Sequence, residues 1–301
     1  MKEMYFSLMA LGLCLGMAGQ SQGQPGYDFT QLDATRSSFP NRTIANGINP
    51  SGQAVGSFYD GTRTHGFLLD QGSYTTLDVR GSTDIFAQGI NSSGQIVGYY
   101  FDASHSSHGF LLDQGSYSTL HMPGSVRTVA NGINASGQIV GYYTDAASKQ
   151  HGFLLDQGSY TTLDGPTLGH TIANAINASG QIVGSYADAA GWHGFLLDQG
   201  SYTTLNVPGS GSTYAQGIND AGQIVGWYGD AAGNSHGFLL DQGSCYTTLD
   251  GPILGHTVAN GINASGQIVG SYDDQNGIHG LLLDQGSYTT LDVPGSTCTE
   301  V

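Results

Sequence analysis

Positive charge is scarce in this chain. Seven Lys and Arg stand against 23 Asp and Glu over 301 residues, a net charge of −16. Such a surface repels phosphate backbones, which argues against nucleic acid as a partner and favours cations or basic surfaces. A helical signal is missing as well. No window carries an amphipathic period of 3.6, and the apolar segments are dense in Ile, Val, Tyr, Thr and Phe, which predicts an all-β chain. Charged residues make up only 10%, and Gly fills 48 positions. Regular apolar runs such as QIVGYY and GFLLD nevertheless persist, so the Gly belongs to turns rather than to disorder.

Long apolar stretches are confined to the N-terminus. Residues 1–20 combine Lys2, an apolar core of about a dozen residues and a small-residue finish, the pattern of a secretory signal peptide and too short for a stable membrane helix. Cleavage is expected after Ala18. The Leu-Gly-Leu before Cys14 makes a poor lipobox. No other segment reads as membrane-spanning, so the expected destination is extracellular or periplasmic, and Cys245 and Cys298 would meet oxidising conditions.

What is present, in abundance, is repetition. GINASGQIVGYYTDAASKQHGFLLDQGSYTTLD (132–164) has near-copies throughout the chain. Its first Asn recurs at Asn49, Asn91, Asn134, Asn177, Asn219 and Asn263, spacings of 42 to 44, and its His at His65, His108, His151, His193, His236 and His279. Two markers in one phase identify one structural unit used six times. Each unit parses into four short strands, in the third copy 128–134, 138–143, 151–156 and 159–164, separated by NASGQ- and DQGS-type turns whose Gly supplies positive φ.

Four antiparallel strands per 42–44 residues, six times over, predict a six-bladed β-propeller. Small residues in the first strand (Ala130, Gly132) suit a crowded axis. The Thr-rich last strand suits an exposed outer edge. A double β-trefoil with repeats of similar length is the alternative. The expected domain map is a signal peptide over 1–20, a linker over 21–26, the propeller over 27–296 and a tail over 297–301. Tyr27–Asp33 is a surplus copy of the fourth strand, available to extend an edge or to dock on another molecule.

The pattern GIN.SGQIVG…HGFL…G…T.LD.PG resembles the HAF-type extracellular repeat family, with His-Gly-Phe in five copies and His-Gly-Leu in the sixth. The resemblance spans about residues 27–296. It implies secretion and a repeat fold, and it carries no reaction. WD40-type Trp-Asp pairs, kelch Gly-Gly pairs and sialidase Asp boxes are missing.

Three groups are candidate sites. The first pairs an Asp after the second strand with the His opening the third, as in Asp102/His108 and Asp145/His151. Such a pair offers two ligands to calcium or zinc, or else the Asp caps the turn and the His bonds to it locally. The second is aromatic. The end of the second strand varies as Ser57, Tyr99, Tyr142, Ser185, Trp227 and Ser271, with Trp192 in an adjacent loop. Rings beside acidic acceptors suit sugar recognition, and interblade packing is the competing use. The third is Cys245 with Cys298, which could join stacked monomers, bridge within one chain through a flexible tail, or stay as separate thiols. Asn91, Asn134, Asn177 and Asn263 begin N-x-S/T sequences but read as hairpin turns.

Few polar residues are unique to one copy, and His170 and His256 occupy equivalent positions. No triad or carboxylate pair therefore separates from the scaffold. The expected function is a secreted, non-catalytic binding or scaffold module for a glycan or cell-surface polymer. Tyr99, Tyr142, Trp192 and Trp227 are its candidate contacts, and no cofactor beyond a divalent cation is expected. A self-assembling extracellular subunit is the alternative, and a metal-dependent hydrolase or lyase ranks third.

Overall fold

The computed structural model describes residues 43–291, apart from 60–61, 72, 168, 242–244, 252–255 and 275–276. The signal peptide, the linker, Tyr27–Asp33, Cys298 and the tail therefore lie outside the described residues.

Among the described residues twenty-four strands run in chain order and no helix interrupts them. Blade 1 holds β1 (Thr43–Ile48), β2 (Ala54–Tyr59), β3 (Thr64–Asp70) and β4 (Ser73–Leu77). Blade 2 holds β5 (Ser82–Ile90), β6 (Ile96–Asp102), β7 (Ser107–Asp113) and β8 (Ser116–Leu120). Blade 3 holds β9 (Arg127–Ile133), β10 (Ile139–Thr144), β11 (Gln150–Asp156) and β12 (Ser159–Leu163). Blade 4 holds β13 (Thr171–Ile176), β14 (Ile182–Asp188), β15 (Gly191–Asp198) and β16 (Ser201–Leu205). Blade 5 holds β17 (Ser212–Ile218), β18 (Ile224–Gly229), β19 (Ser235–Asp241) and β20 (Cys245–Leu249). Blade 6 holds β21 (Thr257–Ile262), β22 (Ile268–Asp274), β23 (Gly277–Asp284) and β24 (Ser287–Leu291). Every sheet is a meander of four consecutive antiparallel strands from one repeat. This is the six-bladed propeller that the repeat predicts, and the trefoil alternative falls with it.

Two turn designs set the register. In the DQGS turns, Gln157 and Gly158 both have positive φ, 46° and 81°, as a tight two-residue hairpin requires, so Asp156 pairs with Ser159. In blade 5 one residue is added, and Cys245 takes the strand-opening place opposite Asp241. Cys245 is disulfide-bonded.

The other turn builds the seams between blades. Asn134 is 4% exposed. Its Oδ1 accepts from the amides of Ser136 (3.1 Å) and Gln138 (3.0 Å), closing the hairpin. Its Nδ2 donates to Gln138 Oε1 (2.8 Å) and, across the seam, to the backbone carbonyl of Asn177 in blade 4 (3.1 Å). Gln138 Nε2 then donates to Asp156 at the other hairpin (3.0 Å). The cross-seam bond recurs from Asn49 to Asn91, Asn91 to Asn134, Asn177 to Asn219 and Asn219 to Asn263. Among the described residues Asn263 keeps its Gln267 bond and makes none to blade 1. The N-x-S/T asparagines are thus turn residues with enclosed side chains.

Between the sheets lies the core. Each blade offers a buried Phe or Leu from its third strand and, from its second, a Val preceded by Ile, or by Ala54 in blade 1. In one seam, Val97 of blade 2 packs with Ala130, Ile139 and Phe153 of blade 3. Near the axis the first strands approach so closely that a Cβ on Gly132 would lie 2.9 Å from the Asn174 carbonyl and 3.1 Å from the Ala175 Cα. Only a small residue fits there.

A bulge interrupts each first strand one residue before that small position. The register skips Asn46, Gln88, Asn131, Asn174, Gln216 and Asn260, and these six amides line an axial cavity of about 120 Å³. Strand alternation places the Asn-x-x-Gly-Gln and DQG turns at one end of the axis, here called lower. The β2–β3-type hairpins and the connections between blades lie at the other, upper end.

Candidate functional site

Asp and His at the upper end pair as a repeated structural device. Asp102 Oδ1 accepts from the amides of Ser104 (2.8 Å) and Ser106 (3.0 Å), capping the hairpin, and Asp102 Oδ2 lies 2.9 Å from His108 Nε2. Asp145 caps its own turn in the same way through Ala147 and Lys149. His151 has both ring nitrogens occupied, Nε2 by Asp145 (3.3 Å) and Nδ1 by Asp164 (2.6 Å). Its ring stacks on Tyr143 at 5.0 Å. His236 is held likewise between Asp230 and Asp250, and His193 between Asp188 and Asn206. Hydrogen bonds from the turn, with the His, hold the Asp102, Asp145, Asp188 and Asp230 carboxyls below the usual range. The bond to Asp250, followed by that to Asp230, lifts His236 above its ordinary value.

With both nitrogens engaged by carboxylates, His151 and His236 have no lone pair to present to a metal. Among the described residues no group of three or more His, Cys, Asp and Glu is arranged to hold one. Asp102 with His108, and Asp145 with His151, each combine turn capping with an Asp–His contact. His170 and His256 are also scaffold. Their Nδ1 atoms accept from the Gln150 and Ser235 amides of the preceding blade, at 3.1 and 2.8 Å.

The varied aromatic positions behave differently. Second-strand residues face the first strand of the same blade, so Tyr99 pairs with Phe86 and Trp227 with Tyr214. In blade 5, Tyr214 and Trp227 stack at 4.1 Å and 15°. Trp192 of blade 4 closes on Tyr214 at 5.6 Å, and His170 lies 6.4 Å from Trp192. Trp192 stands in β15, paired with Ala187, and not in a loop as expected. Phe86 and Tyr99 of blade 2 stack at 4.7 Å, and Phe101 meets both edge-on at 6.2 and 5.8 Å. Arg127 of blade 3 sits over Phe101, its Cζ 5.8 Å from the ring centroid. Tyr142 faces the same charge from β10. Burial pushes the Tyr99 phenol up to about 12 and raises Tyr142 too, while the Arg127 charge pulls both the other way.

The four expected residues therefore fall into two clusters rather than one. Trp192 and Trp227 join through Tyr214, a residue that sequence reasoning passed over. Tyr99 and Tyr142 flank Arg127. Phe86 and Tyr214 were discoverable, because their position reads Ile44, Phe86, Val129, Ile172, Tyr214 and Val258, aromatic in the two blades where Tyr99 and Trp227 need a stacking partner. Blades 2 and 5 are three apart in a ring of six, so the two stacked pairs lie opposite one another. All these rings are half-buried, unlike the fully enclosed Phe153 and Phe238.

The axis is narrow. Its cavities, about 130 Å³ at the lower end and 120 Å³ among the amides, fall below the few hundred Å³ that ligand pockets usually offer. A crevice of about 580 Å³ runs along the outer seam of blades 4 and 5. Leu196, Leu205, Ile224, Leu240, Tyr246 and Thr and amide side chains line it, with no charged group. No helix among the described residues is long and apolar enough to cross a membrane.

No protein-family model and no curated protein matches the sequence. Solved structures do match in fold. A fungal lectin from Aleuria aurantia, described as a six-bladed β-propeller with a novel fucose recognition mode, aligns with a TM-score of 0.53 at 14% identity, over 88% of this chain and 99% of that one. AofleA from Arthrobotrys oligospora aligns with a TM-score of 0.56 at 12% identity, over 86% and 88%. TolB from Acinetobacter baumannii gives 0.60 at 15% identity, over 85% of this chain and 62% of that one. At these identities the likeness extends to the fold alone.

Proposed function

We propose that the protein is a binding module that takes saccharide rings against the aromatic clusters of its upper end, and that it does so outside the cell. One observation carries the reading. Trp192, Tyr214 and Trp227 form a run of rings 5.6 and 4.1 Å apart that stays half-open to solvent. Blades 1, 4 and 6 close the position equivalent to Trp227 with Ser57, Ser185 and Ser271. A fold that packs well with Ser does not need a Trp there for stability. Flat aromatic faces suit the apolar C–H faces of a sugar, and the surrounding carboxylates and amides can fix its hydroxyls. Export is supported by the signal-like residues 1–20 and by the resemblance to HAF-type repeats. The lectin in the same fold class shows that a six-bladed ring can present sugar sites.

Glycan-array binding of the purified secreted chain tests this. Retained glycans should bind Trp227→Ala and Trp192→Ala on the order of tenfold more weakly, since one ring stack is worth about a kcal/mol. Retention of no glycan, or equal binding by both variants, defeats the reading. N-terminal sequencing of the secreted form checks the cleavage expected after Ala18.

A further inference from the structure

The two aromatic clusters are not chemically alike. That of blades 4 and 5 has neutral rings with His170 at its edge. That of blades 2 and 3 encloses a cation. The chain has only seven Lys and Arg among 23 acidic residues, so a basic side chain will ordinarily be drawn to a carboxylate. Arg63 lies 3.3 Å from Asp78 and Lys149 lies 4.0 Å from Asp164. Arg127 has no carboxylate partner among the described residues. Its Nε donates to Ser107 Oγ at 2.8 Å, which fixes the plane of the guanidinium over Phe101. Ser107 is 3% exposed, so that anchor is rigid. The two terminal nitrogens, the fork that matches a carboxylate, have no partner among the described residues. The hydroxyls of Tyr99 and Tyr142 likewise have no partner among the described residues. By contrast Tyr100, Tyr143, Tyr186 and Tyr228 at the neighbouring position all bond to a Thr hydroxyl.

From this geometry we infer that the blade 2–3 cluster recognises an acidic sugar, with the Arg127 fork taking the carboxylate of a uronic acid residue whose ring lies against Tyr99 and Phe101. The inference rests on the saccharide reading above and names the ligand class for one of its two clusters. Arg127 supplies the charge and fork, Ser107 holds it in place, and the free phenol hydroxyls supply further donors. The position equivalent to Arg127 carries Asp84, His170, Ser212 and His256 in blades 2, 4, 5 and 6, and Arg42, which lies outside the described residues, in blade 1. Asp84 bonds to the Thr64 amide at 2.8 Å, and His170 and His256 bond to backbone amides. Those residues clamp one blade to the next, whereas Arg127 clamps with one nitrogen and keeps two in reserve. The net charge of −16 opposes a dense polyanion at long range. Short oligosaccharides with a single contact at the cluster are therefore favoured. Their affinity should hold or rise as salt screens the overall repulsion, opposite to the loss shown by a polycationic surface.

The probes are an oligogalacturonate and its carboxyl-reduced counterpart, titrated calorimetrically against the full secreted chain. The reduced sugar keeps the rings and loses the charge. Wild-type protein should bind the acidic form on the order of tenfold more tightly, the worth of one charge-assisted fork. Arg127→Gln should erase that difference, and Arg127→Lys should recover only part of it. Ser107→Ala loosens the anchor while leaving the guanidinium, so it should weaken acid selectivity without affecting the reduced sugar. Equal melting temperatures for the Arg127 variants and wild type confirm that the seam is intact. Should Arg127→Gln unfold, the wild-type comparison of acidic and reduced sugar still decides. Equal affinity for the two overturns the inference. If neutral glycans are retained in a Trp227-dependent manner while acidic ones gain nothing, the acidic-sugar assignment fails and the saccharide reading survives. If no saccharide binds, both fail.

Discussion

Replacing Asn134 by Ala tests what joins one blade to the next. The side chain makes four hydrogen bonds, two within its own turn backbone, one to Gln138 and one across the seam to the Asn177 carbonyl, all between 2.8 and 3.1 Å. A typical bond contributes about 0.5–1.5 kcal/mol net, and a buried group left unpaired costs more, so the loss should be about 3 kcal/mol. For a domain of this size that lowers Tm by roughly 6–12 °C. Urea unfolding followed by Trp192 and Trp227 fluorescence should show an earlier midpoint with unchanged slope. Asn263 provides an internal control, because it holds the same turn bonds but none across to blade 1. Asn263→Ala should cost about 1 kcal/mol less, the worth of a single buried bond. Asn134→Asp keeps the acceptor but faces the Gln138 and Asn177 oxygens with a charge, so at neutral pH it should be at least as damaging as Ala, and acid should partly restore it. A loss below about 1 kcal/mol for Asn134→Ala, or equal losses at both sites, would refute the seam argument.

Two further predictions concern glycine and pH. A Cβ on Gly141 would lie 2.0 Å from the Val129 carbonyl, so Gly141→Ala should cost about 3 kcal/mol or more, or prevent folding. Gly137, at φ 80°, would meet only Gln95 Oε1 at 3.9 Å, so Gly137→Ala should cost about 1–2 kcal/mol from backbone strain alone, and chemical denaturation ranks the pair. The raised His236 contributes stability that is complete below its ordinary value of 6.5 and is lost as pH rises through its higher folded value. The lowered Asp230 contributes stability that is complete above its ordinary 3.8 and is lost as pH falls through its lower folded value. Melting temperature should therefore peak between these limits, and His236→Gln should flatten the alkaline side. A wild-type profile level from mildly acidic to mildly alkaline pH would contradict the pairing.

The ring was legible because two markers kept one phase. The third copy shows how closely: strands expected at 128–134, 138–143, 151–156 and 159–164 occur at Arg127–Ile133, Ile139–Thr144, Gln150–Asp156 and Ser159–Leu163. Turn chemistry fixed the ends, and the small residues Ala130 and Gly132 fixed which strand lies innermost. Legibility stopped where partners come from another repeat. Asn134 reads as a turn residue in isolation, and its bond to Asn177 exists only once blades are side by side. Asp164 and Asp250 close on His151 and His236 across a sheet, from strand ends that read as mere edges. Nothing local announces the bulge that turns Asn131 to the axis. Variation among copies pointed to Tyr99, Tyr142 and Trp227, but their division into two clusters depends on Phe86, Tyr214 and Arg127.

A circle of like parts is no stronger than the joint left unsewn. Five of the six contacts between wedges are crossed by the polypeptide itself and by an Asn amide. The sixth, where β21 and β22 meet β1, has neither among the described residues. There the gap probed by a Cβ on Gly261 opens to 3.5 Å from the Asn46 carbonyl, against 2.8 to 3.2 Å at four other joints. Thermal breathing will part the wheel at this place before any other, like a split washer.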